Sequence, residues 1–290
     1  SFKQLNYIRH FDVEQVIDEI QYLIKTYRNI RMFIFDDDLF TFYRPYVKNF
    51  CMAYKKVCSI PFVVNAHVGF FDEERSRYLS EANCKIVKFG VESGSETIRK
   101  KILQRHMKNE KIIKAIRTAH LFGLHTSVFL MIGLPDETQE DVMATIKLMG
   151  KAKPGRYRWS FFFPYPDTKA YEISAKGKYI DYGEMYHLVN FTEGSCLNFG
   201  EAHNLFLKKV GRLMPWFVNA YSDLPVADFY RKKVEEILSL DQQAWEEKKN
   251  SFIREDKKIS EDFVKQGLSH YAIKYNPFMG VISDYFISES

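Results

Sequence analysis

The sequence predicts an α/β fold with a parallel sheet, followed by a mainly helical C-terminal region. Three observations predict it. Short apolar runs alternate with amphipathic stretches over the first 170 residues. Each apolar run ends in polar, Gly or Pro residues, and the alternation stops near Ala170. Strands that alternate with helices pair in parallel through right-handed crossovers.

The elements follow in order. Asp12 to Tyr27 places Val13, Val16, Ile17, Ile20, Leu23 and Ile24 at helical spacing, with Asp12 as the N-cap. Met32 to Phe35 is a short continuous apolar run, as buried parallel strands are, and it ends in Asp36-Asp37-Asp38. Arg44 to Val57 is amphipathic, Pro61 to Asn65 is strand-like, and Asp72 to Ala82 is helical. A third strand, Ile86 to Gly90, is followed by helices over Glu96–Leu103 and Glu110–Phe122, with Gly123 as the stop. Ser127 to Ile132, Glu140 to Met149 and Trp159 to Phe163 complete the pattern as strand, helix and strand. Beyond Ala170 only helices are read, including Asp228–Leu238 and the charge-dense Gln242–Lys258. The expected domains are therefore 1–170 and 171–290.

Composition narrows the function. The 290 residues carry 42 Lys and Arg against 37 Asp and Glu, a mild net charge of +5. Residues 1–170 hold 27 basic and 19 acidic side chains, and residues 171–290 hold 15 and 18. No basic arm stands out, so no nucleic-acid partner is expected. Hydrophobic residues at 46% exclude disorder as the main state. No apolar run reaches the ~20 residues of a membrane span. Ser1-Phe2-Lys3-Gln4 is not a signal peptide, and a start without Met suits a fragment or processed product. Cys51, Cys58, Cys84 and Cys196 form no CxxC and read as buried thiols of a cytoplasmic protein. The Asn190-Phe191-Thr192 sequon is discounted for the same reason.

Ligands of parallel sheets sit at the carboxyl ends of the strands. Those ends offer Asp36-Asp37-Asp38, then Asn65 and His67, then Gly90-Val91-Glu92-Ser93-Gly94-Ser95, then Gly133-Leu134-Pro135-Asp136-Glu137, then Pro164-Tyr165-Pro166-Asp167. Each has a plain structural reading. The aspartates suit turn chemistry, and three adjacent carboxylates repel, so one is turned away or paired. The Gly90–Ser95 and Gly133–Thr138 segments suit turns with helix caps. Asn65 and His67 suit satisfied strand-end residues. Trp216, Tyr221 and Phe229 are core aromatics by default and pocket lining by alternative.

Taken in order, the pieces say more. FIFDDDLF, VVNAHV, EANCKIVKFGVESGSETIRKKILQR, GLHTSVFLMIGLPDETQED and FFFPYPDT resemble the radical S-adenosylmethionine (SAM) superfamily over residues 9 to 170. They are most similar to the branch that carries an upstream cobalamin-binding domain, and Arg9 to Glu14 looks like that family's entry into the first barrel helix. The resemblance implies a partial (β/α)6 TIM-like barrel whose first strand is missing from this chain. It implies a 4Fe-4S cluster that cleaves SAM to a 5′-deoxyadenosyl radical, with cobalamin as a further cofactor. The activity expected is methyl transfer or a related radical step on a small-molecule substrate, fed by an electron donor such as flavodoxin or ferredoxin.

By the same resemblance, Asp36, Asp37 and Asp38 stand where the SAM amino group is held. Asn65 and His67 stand near its ribose or methionine part, and Glu92 and Ser93 near the ribose. Arg105 stands where a guanidinium pairs with the methionine carboxylate, a geometry that suits its planar fork. Gly133, Pro135 and Tyr165 stand around the adenine. The family's CxxxCxxC is missing, so the cluster ligands are expected upstream of Ser1 and the 290-residue chain is expected to be inactive alone. The alternative is a non-catalytic SAM- or nucleotide-binding barrel without a cluster. A phosphate-binding TIM-type enzyme is disfavoured by the Asp-rich strand end and the lack of a Gly-rich phosphate loop.

Overall fold

The computed structural model describes residues 11–37, 39–187, 194–276 and 281–287. Arg9, His10, Asp38 and the Asn190-Phe191-Thr192 sequon lie outside the described residues. The chain forms two compact units, Ser1–Phe89 with Arg117–Thr126, and Gly90–Ile116 with Ser127–Ser290.

The first unit holds α1 (Val13–Thr26), β1 (Phe33–Phe35), α2 (Arg44–Val57), β2 (Phe62–Ala66), α3 (Glu73–Glu81) and the body of β3 (Cys84–Glu92). β1, β2 and β3 lie side by side in parallel, with Phe35 opposite Val64 and Asn65 opposite Lys88. Aromatic edges and faces make the core. The Phe35 ring meets Phe50 and Phe62 edge-on at 5.1 and 5.5 Å, and Tyr54 lies 4.8 Å from Phe62. Asp72 caps α3 through the Arg75 amide, while the Arg75 guanidinium donates to the carbonyls of Thr41 and Phe42. That one arginine anchors the chain leading away from the Asp36 strand end. Asp12 occupies the expected N-cap position of α1, but its side chain makes no capping hydrogen bond.

β3 continues past Phe89 into the second unit. There the chain forms α4 (Glu96–Lys101), most of α5 (Asn109–Leu121), β4 (His125–Ile132) from Ser127 on, α6 (Gln139–Ala152) and β5 (Arg156–Phe161). α7 (Lys169–Lys176), α8 (Tyr182–His187), α9 (Glu201–Ala220), α10 (Ala227–Ser239) and α11 (Gln242–Lys265) follow, then β6 (His270–Asn276) and β7 (Val281–Ile287). β4 and β5 are parallel; β5 pairs antiparallel with β7, and β7 with β6. The mostly parallel α/β class and the helical C-terminal region are as expected, and among the described residues neither run of strands closes on itself. The β6–β7 hairpin is a strand pair that the sequence reading did not assign.

Local chemistry explains the helix boundaries. Ser95, Thr138, Thr168 and Asp241 cap α4, α6, α7 and α11 through side-chain oxygens, and Thr138 with Asp141 forms a reciprocal capping box. Gly123 takes φ +70 just past α5, where a side chain would strain the turn. Helix α9 is broken at Leu213, two residues before Pro215. Proline has no N–H for the carbonyl four residues back, which belongs to Gly211, and the Trp159 indole donates to that carbonyl at 2.8 Å. A Cβ on Gly211 would lie 2.6 Å from the Phe161 ring, so its absence lets β5 pack close to α9.

Trp216 is fully buried and donates to Asp256 at 2.7 Å; the other Asp256 oxygen accepts from the Ile273 amide, linking α9, α11 and β6. Tyr221 and Phe229 are partly exposed. Residues on both sides of Ala170 share one core, in which Ile98, Leu134 and Phe162 pack with Cys196 and Leu197.

Candidate functional site

In the first unit the strand ends bring three polar side chains into line. The Asn65 amide donates to Asp36 at 3.2 Å, and the Lys88 ammonium stands 3.9 Å from the same carboxylate. The Asp36 side chain is 82% exposed, so it remains open to a ligand cation, and the pair with buried Lys88 is weak. Asp37 accepts from the Leu39 amide at 2.8 Å, which is turn chemistry. His67 accepts from the Gly69 amide through Nδ1 at 3.1 Å and caps a short 3-10 turn, Val68–Phe70. Thus Asp36 and Asn65 come together, whereas Asp37 and His67 hold their own loops.

In the second unit the end of β3 builds a compact ion pair. Glu92 takes a left-handed conformation, φ 69, which turns its side chain back along the strand end toward Arg105. Glu92 Oε1 and Arg105 Nη1 are 3.2 Å apart, and the same nitrogen donates to the Gly90 carbonyl at 3.1 Å. A Cβ at Gly90 would sit 2.6 Å from the Glu92 carboxylate, so glycine makes room for the pair. Burial raises the Glu92 carboxyl above its ordinary range, and the Arg105 charge opposes that shift. Arg105 is half-exposed and keeps guanidinium edge for a carboxylate.

Ser93 lies deeper than its expected role requires. Its hydroxyl is buried, 3.3 Å from Thr145, and accepts from the Ser95 amide. Its carbonyl accepts from Arg99, a fully buried guanidinium that also donates to Met107 and Asn109. Ser93 and Arg99 therefore shape the turn that presents Glu92 and Arg105.

The Gly133 segment is organised by Glu137. One carboxylate oxygen accepts from the amides of Gly133 at 2.7 Å and Leu134 at 3.2 Å. Burial pushes this carboxyl up to about 8, while the two N–H groups pull the other way. Gly133 has φ +72 and Pro135 is buried, so both set the course of the backbone. The Tyr165 ring is 56% exposed and rests edge-on to Phe163 at 4.9 Å. Sequence pattern does not single out Lys88, and it offers Glu137 only as part of the Gly133–Glu137 strand end. A lysine inside the apolar strand Val87-Lys88-Phe89 was the available signal for the first, and a carboxylate four residues after Gly133 for the second.

The cysteines do not suit an iron–sulfur cluster. All four are buried, Cys51 is pushed up to about 12 by burial, and Cys84 and Cys196 are raised by burial as well. A cluster needs several close thiolates, and no group of three or more metal-ligating side chains occurs among the described residues. No helix of the described residues is long and apolar enough to cross a membrane.

The profile of the Radical SAM superfamily matches residues 1–149. The chain belongs to the radical SAM superfamily. It is 33% identical over 167 residues to an uncharacterized methyltransferase of Pyrococcus horikoshii, spanning 57% of this chain and 36% of that protein. It is 25% identical over 182 residues to an anaerobic magnesium-protoporphyrin IX monomethyl ester cyclase of Rubrivivax gelatinosus, spanning 61% and 32%. Among solved structures, the radical SAM methyltransferase TsrM of Kitasatospora setae, with cobalamin and a [4Fe-4S] cluster bound, is similar at a TM-score of 0.50 and 20% identity, over 57% of this chain and 32% of that one. This chain spans about a third of the length of these relatives.

Proposed function

We propose that this chain supplies the SAM-binding part of a radical SAM enzyme that performs methyl transfer or a related radical step on an unactivated carbon of a small molecule. The observation that carries the reading is the Glu92–Arg105 pair over Gly90, at a strand end inside the superfamily match. The relatives described as methyltransferases support the choice of reaction.

In this reading Asp36 takes the SAM amino group and Asn65 orients Asp36. Arg105 takes the methionine carboxylate, and Glu92 accepts from the ribose hydroxyls while holding Arg105. Gly133, Pro135 and Tyr165 border the adenine, with Glu137 fixing the loop. Asp37, His67 and Ser93 complete the assignment as neighbours that position these groups. Bound SAM supplies the adenosyl group and the methyl group; the chain binds, orients and shields it. The cysteines present do not fit the cluster, so its thiolate ligands are assigned outside these four. Cobalamin and a reduced flavodoxin or ferredoxin are the further cofactor and the electron donor of the reading. Residues 1–170 hold SAM, and residues 171–290 help to shape the substrate side.

The test uses the full-length protein, reconstituted anaerobically with iron and sulfide and reduced by flavodoxin. Mass spectrometry should detect 5′-deoxyadenosine or S-adenosylhomocysteine, and Glu92→Gln should form at least about tenfold less, ~1.4 kcal/mol in the barrier. Saturable SAM binding without any cleavage, in a full-length protein that takes up no iron on reconstitution, would select the non-catalytic reading.

A further inference from the structure

Strands β4 and β5 carry two different faces. Val128, Leu130 and Ile132 are in register with Tyr157, Trp159 and Phe161, and this face is covered by α9 through the Trp159–Gly211 bond and the Phe161–Gly211 contact. Alternation puts Ser127, Phe129 and Met131 on the opposite face, in register with Arg156, Arg158 and Ser160. Two arginines thus stand two residues apart, ~7 Å, on one face of a strand.

Their surroundings differ. Arg156 is satisfied: Nε donates to Ser127 and Nη1 to the Tyr285 hydroxyl, each at 2.9 Å. Arg158 lies over the Phe129 ring at 5.4 Å, and its Nε and Nη1 are buried without a hydrogen-bond acceptor. Neither arginine has a carboxylate within ion-pair distance among the described residues, although this unit pairs arginine with acid elsewhere, as at Arg105 and Glu92. Burial and the Arg156 charge both lower the affinity of Arg158 for its proton. A covered guanidinium edge with two orphan nitrogens and a second cation beside it costs free energy unless an anion answers it. The fork geometry suits two oxygens of one oxyanion, and the Phe129 ring lies 5.4 Å from the guanidinium carbon.

We propose that Arg158, flanked by Arg156, is a binding subsite for an oxyanion of the substrate, a carboxylate or a phosphate. This rests on the reading that the chain acts on a small molecule and names a chemical class for it. The carbon that reacts then belongs to a molecule held by an acidic group, and Arg158 decides which molecules qualify.

Thermal unfolding of the protein tests the subsite without turnover. Sodium acetate, sodium phosphate and sodium chloride are titrated at matched ionic strength into the wild type, Arg158→Met and Arg158→Lys. The proposal expects a saturable rise in midpoint with acetate or phosphate and not with chloride, and the better of the two anions identifies the source. The rise should vanish in Arg158→Met and shrink in Arg158→Lys, which keeps the charge without the fork. An equal rise with chloride, no saturation, or an unchanged rise in Arg158→Met overturns it. Should Arg158→Met not fold, the lysine variant and the wild-type anion comparison decide alone. Anion binding that persists in a protein unable to cleave SAM would count against the functional reading and leave the subsite standing.

Discussion

At the scale of single residues, the site depends on glycine as much as on charge. At Gly90 an added Cβ meets the tips of Glu92 and Arg105, which are flexible and can move. Gly90→Ala should therefore leave the unfolding midpoint nearly unchanged and weaken SAM binding several-fold, ~1 kcal/mol, as calorimetry would measure. Gly94 is the opposite case. A Cβ there would lie 2.4 Å from the Thr145 Cα and 2.5 Å from the Ala144 carbonyl, backbone that cannot yield. Gly94→Ala should cost ~1–3 kcal/mol in denaturant unfolding.

Legibility at this scale followed sequence distance. Glu92, Gly90 and Arg105 lie within 16 positions in the sequence, and the local pattern points to all three. The Asn65–Asp36 bond was not foreseen as a bond, since it spans 29 positions and needs the β1–β2 register. Lys88 escaped because burial of a lysine depends on what covers the strand, which local pattern does not contain.

At the scale of elements, the parallel strands and their helices were legible because a buried strand must be apolar and must end in a turn. β3 and β5 began two and three residues before their expected starts, at Cys84 and Arg156. Arg156 and Arg158 made β5 look too polar to be buried, and their face of the strand is what the sequence concealed. β6 and β7 were missed for a related reason. Tyr271 is fully buried while its neighbour His270 bonds Ser260, so polar and apolar residues alternate without contrast. α9 shows tertiary structure overriding propensity: Pro215 breaks the helix, and Trp159 answers the carbonyl that the break exposes. Trp159→Phe should remove that donor, leave the buried Gly211 carbonyl unpaired, and cost ~1–3 kcal/mol in thermal or urea unfolding.

At the scale of the molecule, buried carboxyls set the pH response. Asp256 is pushed up to about 6 and Glu137 to about 8, both by burial, and Asp284 is raised in the same way. A carboxyl whose folded value exceeds its unfolded value binds more protons when folded. Its contribution to stability is complete below ~4 and is lost as pH rises through the folded value. Burial lowers His120, His203 and His270, whose contribution to stability grows with pH up to ~7, so the fall left by the carboxyls is expected between pH 7 and 8.5, and Glu137→Gln should flatten it. A midpoint that rises over this range would show these carboxyls to be ionised in the folded protein.

In the proposed function the strand ends of this chain hold SAM. The most direct measurement is the dissociation constant of SAM from the full-length protein, compared between the wild type and Arg105→Met. The account predicts saturable binding that weakens at least about tenfold in the variant, ~1.4 kcal/mol, while the unfolding midpoint without SAM is preserved. Equal affinity in the two proteins, with both folded, would contradict it.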